Sequence, residues 1–324
     1  MRFVILGAGG VGCVIGGRLF ERGEDVTLIA RGAHFEALDA RGLELRDPDR
    51  TVTLPIPTVP DPAEAELGAG DVVVLATKTQ QSEAALDALA PVAPANAPLI
   101  CAQNGVENER LALRRFANTY GMCVVVPATH MEPGIVELAV APCSGLLDIG
   151  RYPLGVDDVT ERVAAVLTQA GFDARPDPRV MDRKYLKLLS NLGNSIEAAC
   201  GTRWDDPDAL ALFKAARAEA RACFEAAGIE VADEAADRER RAVLGAPRAV
   251  GGRSRTGGSS WQSLARATGN IETDWLNGEI VLLGRLHGVL TPVNERLQRV
   301  ANRMARDGLA PGSIPAAQLL SDGE

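Results

Sequence analysis

Residues 1–31, MRFVILGAGGVGCVIGGRLFERGEDVTLIAR, decide the fold of this 324-residue chain. The apolar run over residues 2–6 contains β-branched side chains and ends abruptly in glycine, which is typical of a buried strand. Residues 11–22 then carry helix-compatible side chains up to Gly23, where glycine favours the end of a helix. A second apolar run over residues 26–30 predicts another strand. The pattern is therefore strand, glycine turn, helix, strand.

The glycine turn has the spacing G-x-G-x-x-G. We expect Gly7 to allow a tight turn, Gly9 to let a pyrophosphate approach the backbone, and Gly12 to let the helix pack closely on the sheet. The N–H groups at the start of the helix attract an anion. The spacing alone also fits an ordinary glycine turn, but the flanking strands and helix favour a dinucleotide site. The predicted cofactor-binding residues of the turn are Gly7, Ala8, Gly9, Gly10, Val11 and Gly12.

The end of the second strand indicates which dinucleotide is bound. NAD-binding versions of this motif usually place Asp or Glu there to accept from the ribose 2′-hydroxyl, whereas a nearby Arg suits a 2′-phosphate. This chain has Ala30-Arg31-Gly32 at that point, with no acidic residue. We therefore predict NADP, as NADPH, with Arg31 as a binding residue. A solvated surface arginine is the alternative interpretation.

Composition and charge argue against several classes of partner. The formal net charge of −9 and the pI of about 5.1 argue against nucleic acid or an anionic membrane surface. No apolar run approaches the length of a membrane span, and the early glycines and charges leave no apolar centre for a signal peptide. We expect a cytoplasmic protein. Its oligomeric state stays open, a homodimer included.

The cysteines and histidines give no sign of a metal site. The six cysteines lie far apart without a C-x-x-C pair, and the three histidines show no ligand spacing. We therefore expect reduced, mostly buried thiols and no bound metal.

Two polar side chains follow predicted strands of the same sheet. Residues 71–76, DVVVLA, form a near-continuous apolar run that predicts a central parallel strand, and Lys78 comes two residues later. A further strand over residues 98–102 is followed by Asn104. Because ligands bind at the carboxyl edge of an open α/β sheet, we expect Lys78 to meet the cofactor and Asn104 to contact substrate or nicotinamide. The alternatives are a surface lysine and a turn-forming asparagine.

The strand patterns stop in the middle of the chain. From Asp182 onward, helical stretches rich in Ala, Leu, Arg and Glu replace them, and the prolines at 176 and 178 disfavour a continuing helix. We therefore predict an α/β protein in which a Rossmann-type doubly wound sheet is followed by a second, all-helical domain. The expected ranges are 1–178 for the NADP-binding domain and 179–324 for the helical domain that binds substrate and carries catalysis.

One helix of the second half carries a polar stripe. Residues 182–200 predict a helix on which Lys187, Asn191 and Asn194 or Ser195 recur on one face. Short polar residues are indifferent helix formers, so several in one stripe need a reason. Lining a polar cleft is one reason, and facing water is the other.

Two later segments add to this picture. Residues 245–260, GAPRAVGGRSRTGGSS, predict a flexible loop, and a lid that closes over an anionic ligand with Arg253 or Arg255 is a hypothesis. Residues 271–287, IETDWLNGEIVLLGRLH, predict a strongly amphipathic helix.

Short motifs along the whole chain form an ordered set. They are GAGGVG at the start, Arg31 after the second strand, ATKTQQ around Lys78, QNGVEN around Asn104, ATH at His130, KLLSN at Lys187, and SSWQSL and IETDWLNG near the end. In this order they resemble the ketopantoate reductase family, the 2-dehydropantoate 2-reductases. Many families share the glycine loop, but K-L-x-x-N followed much later by S-S and E-x-D-x-x-N-G is fairly specific.

The resemblance implies an enzyme that reduces the keto group of 2-dehydropantoate with NADPH, giving pantoate for pantothenate and coenzyme A synthesis. It also implies a Rossmann domain and a helical domain with the active site in the cleft between them. Lys187 matches the family's proton donor. The matching substrate-binding positions are Asn104, Asn191 and Ser260. The matching cofactor-binding positions are Lys78, Asn104 and Glu272.

The implied chemistry suits these residue types. Hydride arriving at a ketone carbon leaves a developing alkoxide, which a nearby ammonium can stabilise and then protonate. A lysine in a partly desolvated cleft has its pKa lowered towards the working range, and Glu272 could hold it protonated or bind the ribose. Amide and hydroxyl groups can bind the carboxylate and hydroxyl of a small acid.

The chain departs from the family pattern at three positions. Tyr185 stands where Trp is common. Ser195 stands where a substrate-binding Asn is expected and is kept as a substrate-binding candidate, and Gly257 stands where better-known members carry another Asn. Because two of the departures lie at substrate contacts, reduction of some small anionic 2-oxo acid is a safer expectation than ketopantoate. A related dehydrogenase for another 2-hydroxy acid and a non-catalytic NADP sensor are the alternatives.

Overall fold

The computed structural model describes residues 1–202 and 204–321. The chain divides into two compact units. The first unit comprises Met1–Lys184 and Asp233–Arg255, and the second comprises Tyr185–Ala232 and the chain from Thr256 onward.

The regular elements of the described residues are twelve strands, thirteen α-helices and three short 3₁₀ turns. The strands are β1 Arg2–Leu6, β2 Asp25–Ile29, β3 Leu43–Arg46, β4 Thr51–Leu54, β5 Thr58–Val59, β6 Val72–Leu75, β7 Leu99–Cys101, β8 Thr119–Val125, β9 Ala128–Glu132, β10 Ile135–Leu138, β11 Leu146–Arg151 and β12 Asp173–Pro176. The helices are α1 Gly10–Glu21, α2 Gly32–Arg41, α3 Thr79–Leu89, α4 Asn108–Leu113, α5 Asp158–Gln169, α6 Val180–Asn191, α7 Gly193–Cys200, α8 Pro207–Ala226, α9 Glu234–Arg241, α10 Ser259–Ala265, α11 Asn277–His287, α12 Pro292–Arg306 and α13 Ala316–Ser321. The 3₁₀ turns are Pro62–Ala65, Ala242–Leu244 and Glu272–Trp275. Within the described ranges, none of these helices has the length and apolar character needed to cross a membrane.

The main sheet of the first unit has eight strands in the order β12-β11-β8-β7-β6-β1-β2-β5. Neighbouring strands are parallel except β8 and β11, which are antiparallel. Alternate residues of β1 enter different core clusters: Phe3 packs with residues of α1 and α5, and Val4 packs with residues of α3 and α4. Helices therefore cover both faces of the sheet, which explains the unbroken apolar strand sequences. The predicted doubly wound α/β sheet is confirmed.

A second, four-stranded sheet in the order β4-β3-β10-β9 adjoins the glycine turn. Its strand β9 lies close to the start of α1: a Cβ atom on Gly10 would lie 3.3 Å from the Cβ atom of Ala128. Nothing in the sequence pattern separates these strands from the main sheet. Strand propensity reports on a half-buried, extended segment and carries no information about which strand lies beside it.

The compact units differ from the single boundary expected at residue 178. Residues 233–255 belong to the first unit, although they follow a long helix of the second. Arg240 on α9 explains this return, because it forms ion pairs with the buried Asp148 of β11 and with Asp173 of β12. Ion pairs between positions so far apart in sequence leave no periodic pattern. The ranges 1–178 and 179–324 for the cofactor-binding and substrate-binding domains stay a prediction.

Every regular element of the second unit within the described residues is helical, as predicted. The helix expected over residues 182–200 is interrupted at Leu192, between α6 and α7. Gly193 follows the break, and a Cβ atom there would lie 2.8 Å from the ring of Trp204, so close packing requires glycine. The helix expected over residues 271–287 likewise begins as a 3₁₀ turn, and the α-helix starts only at Asn277.

None of the six cysteines forms a disulfide, and four of them are buried. Burial raises the pKa of the Cys13 and Cys101 thiols, so these side chains behave as small apolar groups. No group of three or more His, Cys, Asp or Glu side chains in the described part of the chain could hold a metal ion.

Candidate functional site

The glycine turn between β1 and α1 has a different geometry at each glycine. Gly7 has a φ of +105°, which other residues rarely adopt. A Cβ atom on Gly12 would lie closer than 3.0 Å to the Gly7 carbonyl oxygen. A Cβ atom on Gly9 would meet nothing within 4 Å. The backbone itself therefore requires glycine at positions 7 and 12, whereas Gly9 faces open space.

The open space at Gly9 lies at the N-terminus of α1. Gly9 is the N-cap residue, and no side chain there accepts from the first N–H groups of the helix. Free N–H groups at the positive end of a helix dipole form an anion site. The residues present therefore fit the pyrophosphate of a dinucleotide, with Ala8, Gly10 and Val11 supplying backbone around it.

His34 on α2 supports this turn, a role that sequence reasoning missed. Its Nδ1 accepts from the N–H of Gly134 at 2.9 Å, so the ring proton lies on Nε2. Nε2 in turn donates to the carbonyl oxygen of Ala8 at 2.5 Å. The N–H of Ala8 donates to the carbonyl of Ile29 on β2 at 3.0 Å. Both backbone polar groups of Ala8 are thus held, and the turn is fixed from two sides.

Arg31 lies at the carboxyl end of the strand beside β1. It is exposed, and it is the N-cap residue of α2. Ile29, the last residue of β2, pairs with Leu6, the last residue before the glycine turn. Contact between Arg31 and a 2′-phosphate stays a prediction, and it requires this position at the end of β2.

Lys78 and Asn104 lie at adjacent strand ends, as their order in the sequence predicts. Leu75 and Cys101, the last residues of β6 and β7, pair with each other. Both Lys78 and Asn104 are half-buried and have interaction partners in the structure. A Cβ atom on Gly7 would lie 2.6 Å from the backbone nitrogen of Thr77, the residue that precedes Lys78. The glycine turn and these two side chains therefore share one edge of the sheet.

Asn191 and Ser260 are buried in the second unit with polar atoms that lack partners. The exposed fraction is 7% for Asn191 and 1% for Ser260. Neither Asn191 Oδ1 nor Ser260 Oγ has a hydrogen-bond partner among the described residues. Buried polar atoms are nearly always paired, and leaving one unpaired costs about 1–3 kcal/mol. These two atoms are therefore suited to binding the polar groups of a ligand.

Ser195 is hydrogen-bonded inside the helical unit, and its role as a substrate contact stays a prediction. Its side chain is 1% exposed, and Oγ donates to Oδ1 of Asn277 at 2.6 Å and lies 2.9 Å from Oγ1 of Thr273. Asn277 also donates to Oδ1 of Asn294 at 3.0 Å. The hydroxyl of Ser195 is thus used within the interior of the helical unit. The only sequence signal for these interior hydrogen bonds is that Thr273 and Asn277 lie four residues apart.

Lys187 lies on α6, four residues before Asn191 and on the same helix face. Its side chain is half-buried and has interaction partners in the structure. Glu272 is buried, with an exposed fraction of 2%, at the start of its 3₁₀ turn. The roles of Lys187 as proton donor and of Glu272 as cofactor contact stay predictions.

The Gly- and Arg-rich segment around residue 250 is attached to the first unit. Arg253 forms an exposed ion pair with Glu137 of β10, at 3.3 Å, and a short β-bridge joins it to Val250. Exposed ion pairs contribute at most about 1 kcal/mol, so this pair adds little to an attachment that also includes the buried Val250 and a hydrogen bond from the Arg248 N–H to the Ala139 carbonyl. The hypothesis of a lid stays a prediction.

Two descriptions of one family match this chain. The model for ketopantoate reductase PanE/ApbA matches residues 3–153, and the model for its C-terminal domain matches residues 179–305. A 2-dehydropantoate 2-reductase of Pyrococcus horikoshii is 30% identical over 191 residues, which cover 59% of this chain and 61% of that protein. One from Mesorhizobium japonicum is 28% identical over 346 residues, covering 94% of this chain and 98% of that protein. The match thus spans less than two thirds of the first relative and nearly all of the second.

Solved structures with this fold include a PanE/ApbA family ketopantoate reductase from Ralstonia eutropha JMP134. It is 29% identical, with a TM-score of 0.79 over 95% of this chain and 99% of that one. D-mandelate dehydrogenase, in a ternary structure with NADH and anilino(oxo)acetate, is 23% identical with a TM-score of 0.80 over 95% and 99% of the two chains. At that identity the likeness concerns the fold alone. Because the two family models together cover most of the sequence, in its strand-rich and its helical half, this chain belongs to the ketopantoate reductase family.

Proposed function

We propose that this protein is an NADPH-dependent reductase of a small anionic 2-oxo acid, with 2-dehydropantoate as the leading substrate. The main support for the proposal is the open space at Gly9, which we call the cradle. It lies at the N-terminus of α1, where no side chain caps the helix, at the carboxyl edge of the sheet. Family membership then supplies the reaction class. The first unit would bind the cofactor, and the second would supply the substrate contacts and the proton donor.

The chain's own residues would divide the work as follows. When bound, the nicotinamide cofactor supplies the hydride that adds to the keto carbon. Lys187 donates a proton to the former keto oxygen, so that one hydride and one proton convert the 2-oxo acid to a 2-hydroxy acid. Asn191 and Ser260 bind polar groups of the substrate, which satisfies their buried oxygens. Asn104 orients substrate or nicotinamide from the edge of β7.

The choice of NADPH over NADH rests on Arg31. An exposed guanidinium at the end of β2 suits a 2′-phosphate, and no acidic side chain occurs at that tip to accept from a 2′-hydroxyl. The fold alone does not decide this choice, since the D-mandelate dehydrogenase structure contains NADH. We expect Arg31→Ala to weaken NADPH binding about tenfold or more while leaving NADH binding nearly unchanged.

A second candidate is reduction of a different 2-oxo acid by the same mechanism. The geometry of Ser195 favours it, because a hydroxyl engaged with Thr273 and Asn277 is not free to bind substrate. Gly257 adds to this, since a Cβ atom there would lie 2.5 Å from the ring of Trp261 and leaves no room for an amide. The site thus has fewer polar groups than the family pattern predicts.

A spectrophotometric screen tests both candidates. Oxidation of NADPH and of NADH would be followed with 2-dehydropantoate and with 2-oxo acids of different side chains. We expect turnover with NADPH and the highest kcat/KM for one small 2-oxo acid. Tight NADPH binding without turnover of any 2-oxo acid would contradict the reductase function and favour an NADP sensor. Equal kcat/KM with NADPH in the native and Arg31→Ala proteins would contradict the NADPH assignment.

A further inference from the structure

A buried ion pair lies beneath the carboxyl edge of the main sheet. Lys184 of α6 and Glu109 of α4 contact each other through Nζ and Oε1, with exposed side-chain fractions of 2% and 0%. Burial raises the pKa of the Glu109 carboxyl and outweighs the opposing effect of the Lys184 ammonium. Burying two charges costs several kcal/mol per ion before their attraction is counted, and apolar replacements are often as stable. The pair therefore calls for a reason other than stability.

The second contact of Lys184 supplies such a reason. Its Nζ also donates to the carbonyl oxygen of Gln103 at 3.0 Å. Pairing between β7 and β8 ends at Cys101 and Gly121, so the Gln103 carbonyl lies beyond the last ladder pair. Lys184 provides a donor at the point where the sheet no longer does. Because Gln103 directly precedes Asn104, this bond fixes the backbone on which the Asn104 side chain is carried.

The side chain of Gln103 extends the same network to the neighbouring strand end. Its Nε2 donates to the carbonyl oxygen of Thr77 at 2.9 Å and to Oγ of Ser82 at 2.7 Å. Thr77 directly precedes Lys78. One residue, held by Lys184, thus links the backbones that present both of the predicted ligand contacts at this edge.

Asn108 closes the network from α4. Its Nδ2 donates to the carbonyl oxygen of Asn104 at 3.3 Å and to Oγ1 of Thr79 at 3.0 Å. Gly105 between them has a φ of +76°, so the turn after Asn104 is tight and depends on these contacts. Glu109 is the next residue of the same helix, and its partner Lys184 holds the other end of the turn.

We propose that Glu109 and Lys184 are positioning residues that hold the Asn104 turn, and through Gln103 the Lys78 turn, in the geometry needed for binding and reduction. The Lys184 side chain makes the direct contact, since its Nζ donates to the Gln103 carbonyl, and the contact with Glu109 holds Nζ in that position. This inference rests on the proposed function for the roles of Asn104 and Lys78. It predicts that removing both charges harms binding and turnover even where the fold survives.

A double variant separates positioning from stability. Glu109→Leu or Lys184→Met alone leaves one buried charge unpaired, so each is expected to lower Tm. The combination Glu109→Leu/Lys184→Met removes both charges and should recover most of that Tm, but nothing then donates to the Gln103 carbonyl. We expect it to bind NADPH several-fold more weakly and to lose about tenfold in kcat/KM. Arg2→Met is the matched control, because it breaks the Arg2–Asp71 ion pair at the amino end of the same sheet, and both values should stay unchanged.

A cycle with Asn104→Ala tests whether the pair acts through that side chain. If it does, adding the double variant to Asn104→Ala lowers kcat/KM by less than about twofold, because the positioned group is already gone. Native kcat/KM and native NADPH affinity in the folded double variant would overturn the proposal, and so would losses that multiply fully with Asn104→Ala. If the native protein reduces no 2-oxo acid, the proposed function fails. The NADPH affinities of the double variant and of Arg2→Met then decide the inference by themselves.

Discussion

The glycine turn and the proposed substrate contacts of the helical unit are built in opposite ways. At the turn, backbone shape is decisive: Gly7 and Gly12 leave no room for a side chain, and Gly9 faces open space. In the helical unit, the candidate contacts are side-chain atoms, since Asn191 and Ser260 are buried and each carries an oxygen without a hydrogen-bond partner among the described residues. The difference teaches where a sequence is informative. Glycine spacing in the sequence predicts the shape of the backbone at the turn. Whether a side-chain oxygen is available for a ligand depends on neighbours that are distant in sequence.

The largest effect that we expect separates chemistry from cofactor binding. Lys187→Ala removes the proposed proton donor in the second unit and should lower kcat by about a hundredfold or more. NADPH affinity, measured by its fluorescence on binding, should change little, because the cradle at Gly9 lies in the first unit. Lys214→Ala, at an exposed position of α8, is the control for loss of a lysine. Full activity in Lys187→Ala would remove that residue from the mechanism.

The second prediction compares two glycines of one turn. Gly9→Ala should leave Tm nearly unchanged, since its methyl group meets no protein atom, but should weaken NADPH binding about tenfold by filling the cradle. Gly12→Ala should weaken binding as well and also destabilise the fold by about 1–3 kcal/mol, because its methyl group overlaps the Gly7 carbonyl. Urea unfolding and NADPH titration measure the two quantities separately. Equal losses of stability in both variants would break the distinction between space for ligand and space for packing.

The third prediction applies the same contrast to two serines of the helical unit. Ser195→Ala should cost about 1–3 kcal/mol of stability, because it removes a partner from the buried Asn277 and Thr273, and should change KM little. Ser260→Ala removes a hydroxyl that has no protein partner, so stability should hold while KM for the 2-oxo acid rises about tenfold. Urea unfolding and initial rates at saturating NADPH measure these effects. A rise in KM for Ser195→Ala alone would support Ser195, and not Ser260, as the substrate contact.

These contrasts also explain which features of the fold and of the candidate site can be predicted from the sequence. The alternation of apolar strands and glycine turns predicts the main sheet and places Lys78 and Asn104 at its carboxyl edge, because those features depend on neighbours along the chain. The return of residues 233–255 depends on the ion pair of Arg240 with Asp148, and the interior hydrogen bond of Ser195 depends on Asn277. Such pairings join residues about 80 to 90 positions apart, and one sequence contains no signal for them.

The buried pair of Glu109 and Lys184 marks the same limit at the site itself. In sequence, both look like ordinary charged helix residues, which are almost never fully buried unless they are paired. Only the fold brings them together beneath Gln103. Side chains that bind ligand can be found from motifs, whereas those that hold the motifs in place are found from packing.

The smallest expected effect concerns a second helix N-terminus of the first unit. At α5 the N-cap is Asp157, whose carboxylate accepts from the N–H groups of Val159 and Thr160. A carboxylate of the chain therefore caps α5, whereas no side chain caps α1. Burial acts to raise the pKa of Asp157, but the Arg151 guanidinium and the Thr160 N–H outweigh it and hold the pKa below its ordinary value. A lowered carboxyl pKa stabilises the fold above the unfolded value of about 3.9, and this contribution is lost as the pH falls through the folded pKa.

Asp157→Asn keeps an acceptor at the cap but has no charge to titrate. We therefore expect the native protein to be more stable than this variant by about 1 kcal/mol near pH 7, with the gap closing below about pH 4. Urea unfolding at a series of pH values measures the gap, and NADPH affinity at neutral pH should be the same in both proteins. A gap that stays constant down to acid pH would mean that the charge of Asp157 does not stabilise α5. A change in NADPH affinity would mean that the N-termini of α1 and α5 do not act independently.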